Sequence, residues 1–149
     1  AYQKIEWNLL VLIGGMSSFG IAMEKTGTAL FLADQIISVF GQIGPLAVLS
    51  AFAALTIFLT QPMSNAASAM VVLPVALKAA ETLHVNPLTF ALTVMLSASI
   101  SLITPFEPSC ILVYGPGNYK FMDFFKTGLI LTLILATIII FMVPYFYPF

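Results

Sequence analysis

This chain has 149 residues, of which 60% are hydrophobic and only 7% charged, against roughly 25% charged in soluble domains. Its five basic residues are all lysine and the formal net charge is −1, which excludes the basic surface that nucleic-acid binding requires. Cys110 is the single cysteine, so it closes no internal disulfide and says nothing about redox compartment.

Trp7 to Met23 is the first apolar segment, bounded by Glu6 and by Glu24-Lys25. Gly14, Gly15, Ser17, Ser18 and Gly20 crowd its second half, and small residues let membrane helices approach closely, so a packing surface is expected here. The segment lacks the small-residue cleavage site of a signal peptide, and further apolar segments follow it; it therefore reads as structure. Because the sequence starts at Ala1 without Met, it reads as a processed product or as a piece of something longer.

Thr28 to Ile43 carries an apolar set (Leu30, Phe31, Ile36, Ile37, Phe40) interrupted by Asp34, Gln35 and Ser38. As a helix it would reach roughly 24 Å, less than a hydrocarbon core of ~30 Å, which predicts an interfacial or re-entrant helix. Gly41 and Gly44-Pro45 end it and start the next element. Residues 35–77 hold no charge at all, and near their middle sits Gln61-Pro62-Met63-Ser64-Asn65-Ala66-Ala67-Ser68. On either side, Pro45 to Thr60 and Ala66 to Ala80 would each span about 22–24 Å, short of a full crossing. Two short helices joined by a polar, proline-containing turn predict a hairpin over residues 45–80 that enters and leaves the membrane on one side. Two tilted spans joined by an aqueous loop are the alternative.

Lys78, Glu81 and His84 form a polar connector, and Asn86-Pro87 marks another helix start. Leu88 to Ile103, with Ser97, Ser99 and Ser101, reads as a helix that breaks at Thr104-Pro105-Phe106-Glu107-Pro108, because proline removes an amide donor and clashes with the preceding turn. Under four-residue bonding, Pro105 would free the carbonyl of Ser101 and Pro108 that of Thr104. Apolar character resumes at Ile111 to Tyr114, giving a broken helix over residues 87–114. Gly115-Pro116-Gly117-Asn118 reads as a turn, and Lys120, Asp123 and Lys126 as a wet connector. Gly128 to Phe149 is then a membrane span, closed by interfacial aromatics such as Tyr145 and Tyr147.

Two places combine a broken helix with clustered oxygen groups: Thr60 to Ser68, and Ile103 to Ser109. Ser64 and Asn65 are strong N-cap types ahead of an apolar helix, whose unpaired amides and partial positive charge suit an anion. At the second place, Thr104 and freed carbonyls offer oxygen ligands to a hard cation. Plain capping and an ordinary proline kink are the structural alternatives. Glu107, an acid within a membrane break, is a candidate coupling residue, as proton or cation ligand, or else a solvated residue at a cavity mouth.

Phe58-Leu59-Thr60-Gln61-Pro62-Met63-Ser64-Asn65-Ala66-Ala67-Ser68-Ala69, followed by Leu73-Pro74-Val75, resembles the second Ser-Asn-Thr motif of the divalent anion/sodium symporter family. Ile103-Thr104-Pro105, Val113 to Tyr119, and Asp123-Phe124-Phe125-Lys126-Thr127-Gly128 resemble that family's later broken helix and the connector after it; Trp7 through Gly27 also matches. The resemblance covers nearly the whole chain but only the C-terminal half of a family transporter. It implies an all-α integral membrane fold, a transporter repeat with a re-entrant helical hairpin and a discontinuous transmembrane helix, paired with an inverted first repeat. It also implies that Ser64, Asn65, Ala66, Thr104 and Pro105 contact substrate. Sodium would be held by Thr60, the Asn65 side chain and the main-chain oxygens of Met63 and Ile103. Ala66 departs from the pattern by standing where the family usually has Thr, so one hydroxyl that could bond a carboxylate or sulfate oxygen is missing; Ser68 lies two residues on.

The reading is sodium-coupled transport, with H+ as the other coupling ion, of a small sulfate- or dicarboxylate-like anion by alternating access. The expected setting is a multi-pass protein of the cell membrane, with the lipid bilayer, the first repeat and a second copy as partners. A non-transporting structural or assembly domain and an anion channel are the alternatives. A membrane enzyme is disfavoured, since neither His-Glu-x-x-His nor Gly-x-Ser-x-Gly occurs and Cys110 and Ser109 have no evident base.

Overall fold

The computed structural model describes residues 25–105 and 119–149, together with Ser18, Ala22, Cys110 and Gly117. The packing surface expected of residues 7–23 falls outside them apart from Ser18 and Ala22. So do the apolar stretch at Ile111 to Tyr114 and, Gly117 excepted, the turn at Gly115 to Asn118. Among the described residues the regular structure is all helical.

Five helices account for most of it: α1 (Thr28–Phe40), α2 (Pro45–Thr60), α3 (Asn65–Thr82), α4 (Pro87–Ala98) and α5 (Phe121–Phe146). The start of α2 follows from local chemistry. Gly44 sits at φ 135°, where side chains are strained, and Pro45 supplies a fixed φ at the first helical position, where no amide donor is needed. Its end is equally local, since Pro62 has no N–H to give the carbonyl of Phe58. The Gln61 amide takes that carbonyl instead, at 3.4 Å.

α3 starts one residue before the expected Ala66, with Ser64 as the N-cap accepting from the Ala67 amide at 3.2 Å. At its far end His84 has φ 54°, and its amide bonds the Glu81 carbonyl while the Val85 amide reaches back to Ala80. This is the Schellman arrangement, normally built on glycine, here with a histidine in the left-handed position. Val85 packs on the core beside Ala79 and Ala80.

α2, α3 and α4 enclose the core of Val48, Leu49, Phe52, Leu59, Val72, Ala76, Phe90 and Val94. Phe52 meets Phe90 edge-on, with ring centroids 6.3 Å apart. Farther along, Thr60 reaches Ala98 and Gln61 reaches Ile100, so α2 and α4 advance in step, run parallel and finish side by side. α5 runs the other way along α4. The Thr89 hydroxyl donates to the Tyr147 carbonyl at 2.6 Å, and at the opposite end the Leu102 carbonyl lies over Gly128.

Two element ends differ from expectation by five residues or more. α4 stops at Ala98 rather than Ile103, well before Pro105 can act on it; Ser101 is outside any helix, so its carbonyl is not one that Pro105 frees. α5 starts at Phe121, ahead of Gly128, so Asp123 and Lys126 lie in its first turns rather than in a wet connector. The Lys120 amide donates to the Asp123 carboxylate at 2.9 Å, and the Asp123 amide returns a bond to the Lys120 carbonyl, which caps the helix seven residues early. With 26 residues and a mean hydropathy of 2.6, α5 is long enough to cross a ~30 Å hydrocarbon core, and only 11% of its apolar window is buried. α2 and α4, with 16 and 12 residues, are apolar but shorter.

Candidate functional site

The parallel course of α2 and α4 brings two helix C-termini to one place, where each leaves carbonyls without intrahelical donors. The sequence supplies donors from side chains. The Thr60 hydroxyl, 1% exposed, lies 2.7 Å from the Asn65 Oδ1 and 2.7 Å from the Ala98 carbonyl oxygen. It has one proton to donate and two acceptors in reach, so three neutral oxygens converge with a single hydrogen between them. Gln61 works one residue farther on. Its Nε2 donates to the carbonyls of Ile57 and Ile100, both at 3.0 Å, and its Oε1 lies 3.3 Å from the Thr104 hydroxyl. That hydroxyl is also 3.4 Å from the Gln61 main-chain oxygen.

Thr60, Asn65 and Thr104, all named from sequence, are thus drawn into one linked cluster. Met63 is buried in the turn between α2 and α3, and Ile103 precedes Thr104 in the irregular segment after α4. Ser64 and Ala66 are exposed at the tip of the turn, Asn65 is half-buried, and Pro105 is fully buried. Ser68 points away from the tip's surface: it is 0% exposed and its hydroxyl donates to the Ser64 carbonyl at 3.1 Å. It does not make up for the hydroxyl absent at Ala66. Glu107 falls outside the described residues.

Two contributors were not singled out from the sequence. The Ala98 carbonyl has no side-chain signature. Gln61 had one, as an amide side chain directly before a proline at the end of a long uncharged run. The donor set of hydroxyl, amide oxygen and main-chain carbonyl suits a hard monovalent cation, in the manner of unwound carbonyls and helix C-termini that hold sodium in carriers. Among the described residues no group of three or more His, Cys, Asp or Glu side chains gathers as a metal centre would require. The start of α3 supplies the opposite polarity beside it: a helix N-terminus opening at Ser64, with amides and dipole favouring an anion.

Residues 1–95 match the family described as citrate transporter. Over its whole length the chain is 37% identical to "Uncharacterized transporter YfbS" of Escherichia coli (strain K12), covering 25% of that protein. It is 31% identical, over 86% of its residues, to "Sodium/sulfate cotransporter 2" of Chlamydomonas reinhardtii, of which it covers 15%. "Sodium-dependent dicarboxylate transporter SdcS" of Staphylococcus saprophyticus is 24% identical over 98% of the chain, which covers 28% of it. The chain therefore spans about a third or less of the length of the curated relatives it matches.

Proposed function

Since this chain belongs to the divalent anion/sodium symporter family and is part of an integral membrane transporter, we propose that it forms one repeat of a sodium-coupled carrier for a small divalent anion. Names of relatives supply the candidate cargo, sulfate for one and dicarboxylate for another. The observation that carries the reading is the junction at Thr60, Asn65 and Ala98, where the buried Thr60 hydroxyl lies 2.7 Å from each of two other oxygens beside two helix ends.

In this reading α2 and α3 are the re-entrant hairpin and α4, with the irregular segment after it, is the first half of a discontinuous helix. Thr60, Asn65 and the main-chain oxygens of Met63 and Ile103 hold sodium, and the Ala98 carbonyl joins them. The anion rests on the tip at Ser64, Asn65 and Ala66, with Thr104 and Pro105 closing the pocket. Sodium neutralises the carbonyl-rich side of the junction and orders the tip before the anion arrives. An inverted first repeat supplies the other half of the pocket, a second copy completes the oligomer, and the carrier works in the cell membrane. Glu107 remains the candidate for proton coupling.

Uptake of radiolabelled sulfate and succinate into proteoliposomes holding the intact transporter tests this. An inward sodium gradient should drive accumulation of at least one of them, and Asn65→Ala should abolish the sodium stimulation while leaving the protein folded. Sodium stimulation retained in Asn65→Ala would remove Asn65 from the site. Accumulation driven by a pH gradient alone would replace sodium with protons, and conductance without saturation would point to a channel.

A further inference from the structure

Both Nε2 hydrogens and the Oε1 of the Gln61 side chain have partners, and those partners belong to two different parts of the chain. The first bond is local in origin. Pro62 has no amide hydrogen, so the Gln61 amide serves Phe58 and leaves the Ile57 carbonyl without its usual helical donor. One Nε2 hydrogen supplies that carbonyl at 3.0 Å. Capping its own helix would require nothing more. The second Nε2 hydrogen instead crosses to Ile100, also at 3.0 Å, and Oε1 accepts from Thr104 at 3.3 Å. Both cross-links fall on the irregular segment after α4, and the second falls on a residue assigned to the anion pocket.

Thr60, the neighbour of Gln61, touches the last residue of α4, Ala98, two residues before Ile100. Its hydroxyl has one proton and two oxygens at 2.7 Å, Asn65 Oδ1 and the Ala98 carbonyl, between which to share it. A cation attracted to these oxygens changes how tightly Ala98 is held. The amide of Gln61 is the shortest route by which that change reaches Thr104, because it bonds both ends of the stretch between Ile100 and Thr104.

We infer that Gln61 is a positioning residue that ties cation occupancy at Thr60 and Asn65 to the placement of residues 100–104, and through them to the anion pocket. This rests on the cation site proposed above. Sodium binding at the tip is then communicated across the junction without any anion present. Removing the amide leaves the tip able to respond to sodium while the segment after α4 stops following it.

Hydrogen–deuterium exchange of the intact transporter in nanodiscs, titrated with sodium against choline and without anion, reads the two segments separately. In the unaltered protein, residues 58–70 and 99–105 should gain protection with one shared sodium midpoint. In Gln61→Met, which keeps the length and removes both donors and the acceptor, the 58–70 midpoint should hold. The sodium-dependent gain in protection of residues 99–105 should fall roughly tenfold, the scale set by one or two modest hydrogen bonds. A purely structural role would instead lower protection of both segments equally and without regard to sodium. Gln61→Glu keeps the length and the acceptor but puts carboxylate oxygens against the Ile57 and Ile100 carbonyls, and it carries the same test should the Met variant not fold. An undiminished sodium-dependent gain at residues 99–105 in either folded variant overturns the strap and leaves the cation site standing. No sodium response in the unaltered protein overturns the cation site, and the strap with it.

Discussion

Two groups of buried hydroxyls, one at the junction of α2 and α4 and one along α4 and α5, are treated differently. At the junction of α2 and α4, the hydroxyls of Thr60 and Thr104 are bonded across the fold to groups 38 and 43 residues away. Along α4 and α5, Thr93, Ser97 and Thr132 are just as buried, yet their hydroxyl oxygens have no partner. Thr89, Thr93 and Ser97 recur at four-residue steps on one side of α4, and only the first finds an acceptor, the Tyr147 carbonyl. Burial of a polar side chain in an apolar bundle is therefore a poor guide to a site. What distinguishes the junction is that non-helical carbonyls are present for the side chains to meet.

The sharpest way to break this comparison is Thr60→Val. It leaves the Ala98 carbonyl without its side-chain donor, at about 1–3 kcal/mol for a buried group. Thermal unfolding in detergent should register a clear loss, and sodium stimulation of uptake should disappear. Ala66→Thr restores a hydroxyl at the exposed tip; if the anion sits there, the affinity for succinate should improve up to roughly tenfold, the worth of one good hydrogen bond, read as a lower KM. Thr89→Val removes the bond that fastens α4 to the end of α5 and should lower stability by about 1 kcal/mol with uptake kept. The smallest effect belongs to Thr93→Val. Exchanging an unpartnered hydroxyl for a methyl of nearly the same shape should change the unfolding temperature little or raise it. A large loss there would mean that the hydroxyl has a partner, and the contrast between the regions would fall.

How legible this was depends on whether the cause is local. Both ends of α2 could be placed from sequence, because Gly44-Pro45 and Pro62 act on their own neighbours. The end of α4 could not. Ser99 to Ile103 contains no breaker, and the helix stops at Ala98 where side chains from α2 take over the carbonyls of Ala98 and Ile100. The start of α5 was hidden for another reason: Lys120 and Asp123 look like solvent-facing charges until the carboxylate is seen bonding the Lys120 amide. In the site, Thr60, Asn65 and Thr104 were named in advance, whereas Ala98 acts through a main-chain atom that any residue possesses. Gln61 was visible only as one member of a polar cluster, since nothing within five residues of it reveals that its amide crosses to Ile100.

Gly128 constrains how these parts can shift relative to each other. A Cβ at that position would collide with the Leu102 carbonyl oxygen and crowd the Ile103 Cα, so the backbones there are in direct contact with no side chain between them. Backbone-to-backbone contact has little slack. Any stroke of residues 99–105 must carry the first turns of the closing helix along or pry the two apart, and the exposed apolar surface of α5 would then register events that begin at the Thr60 hydroxyl.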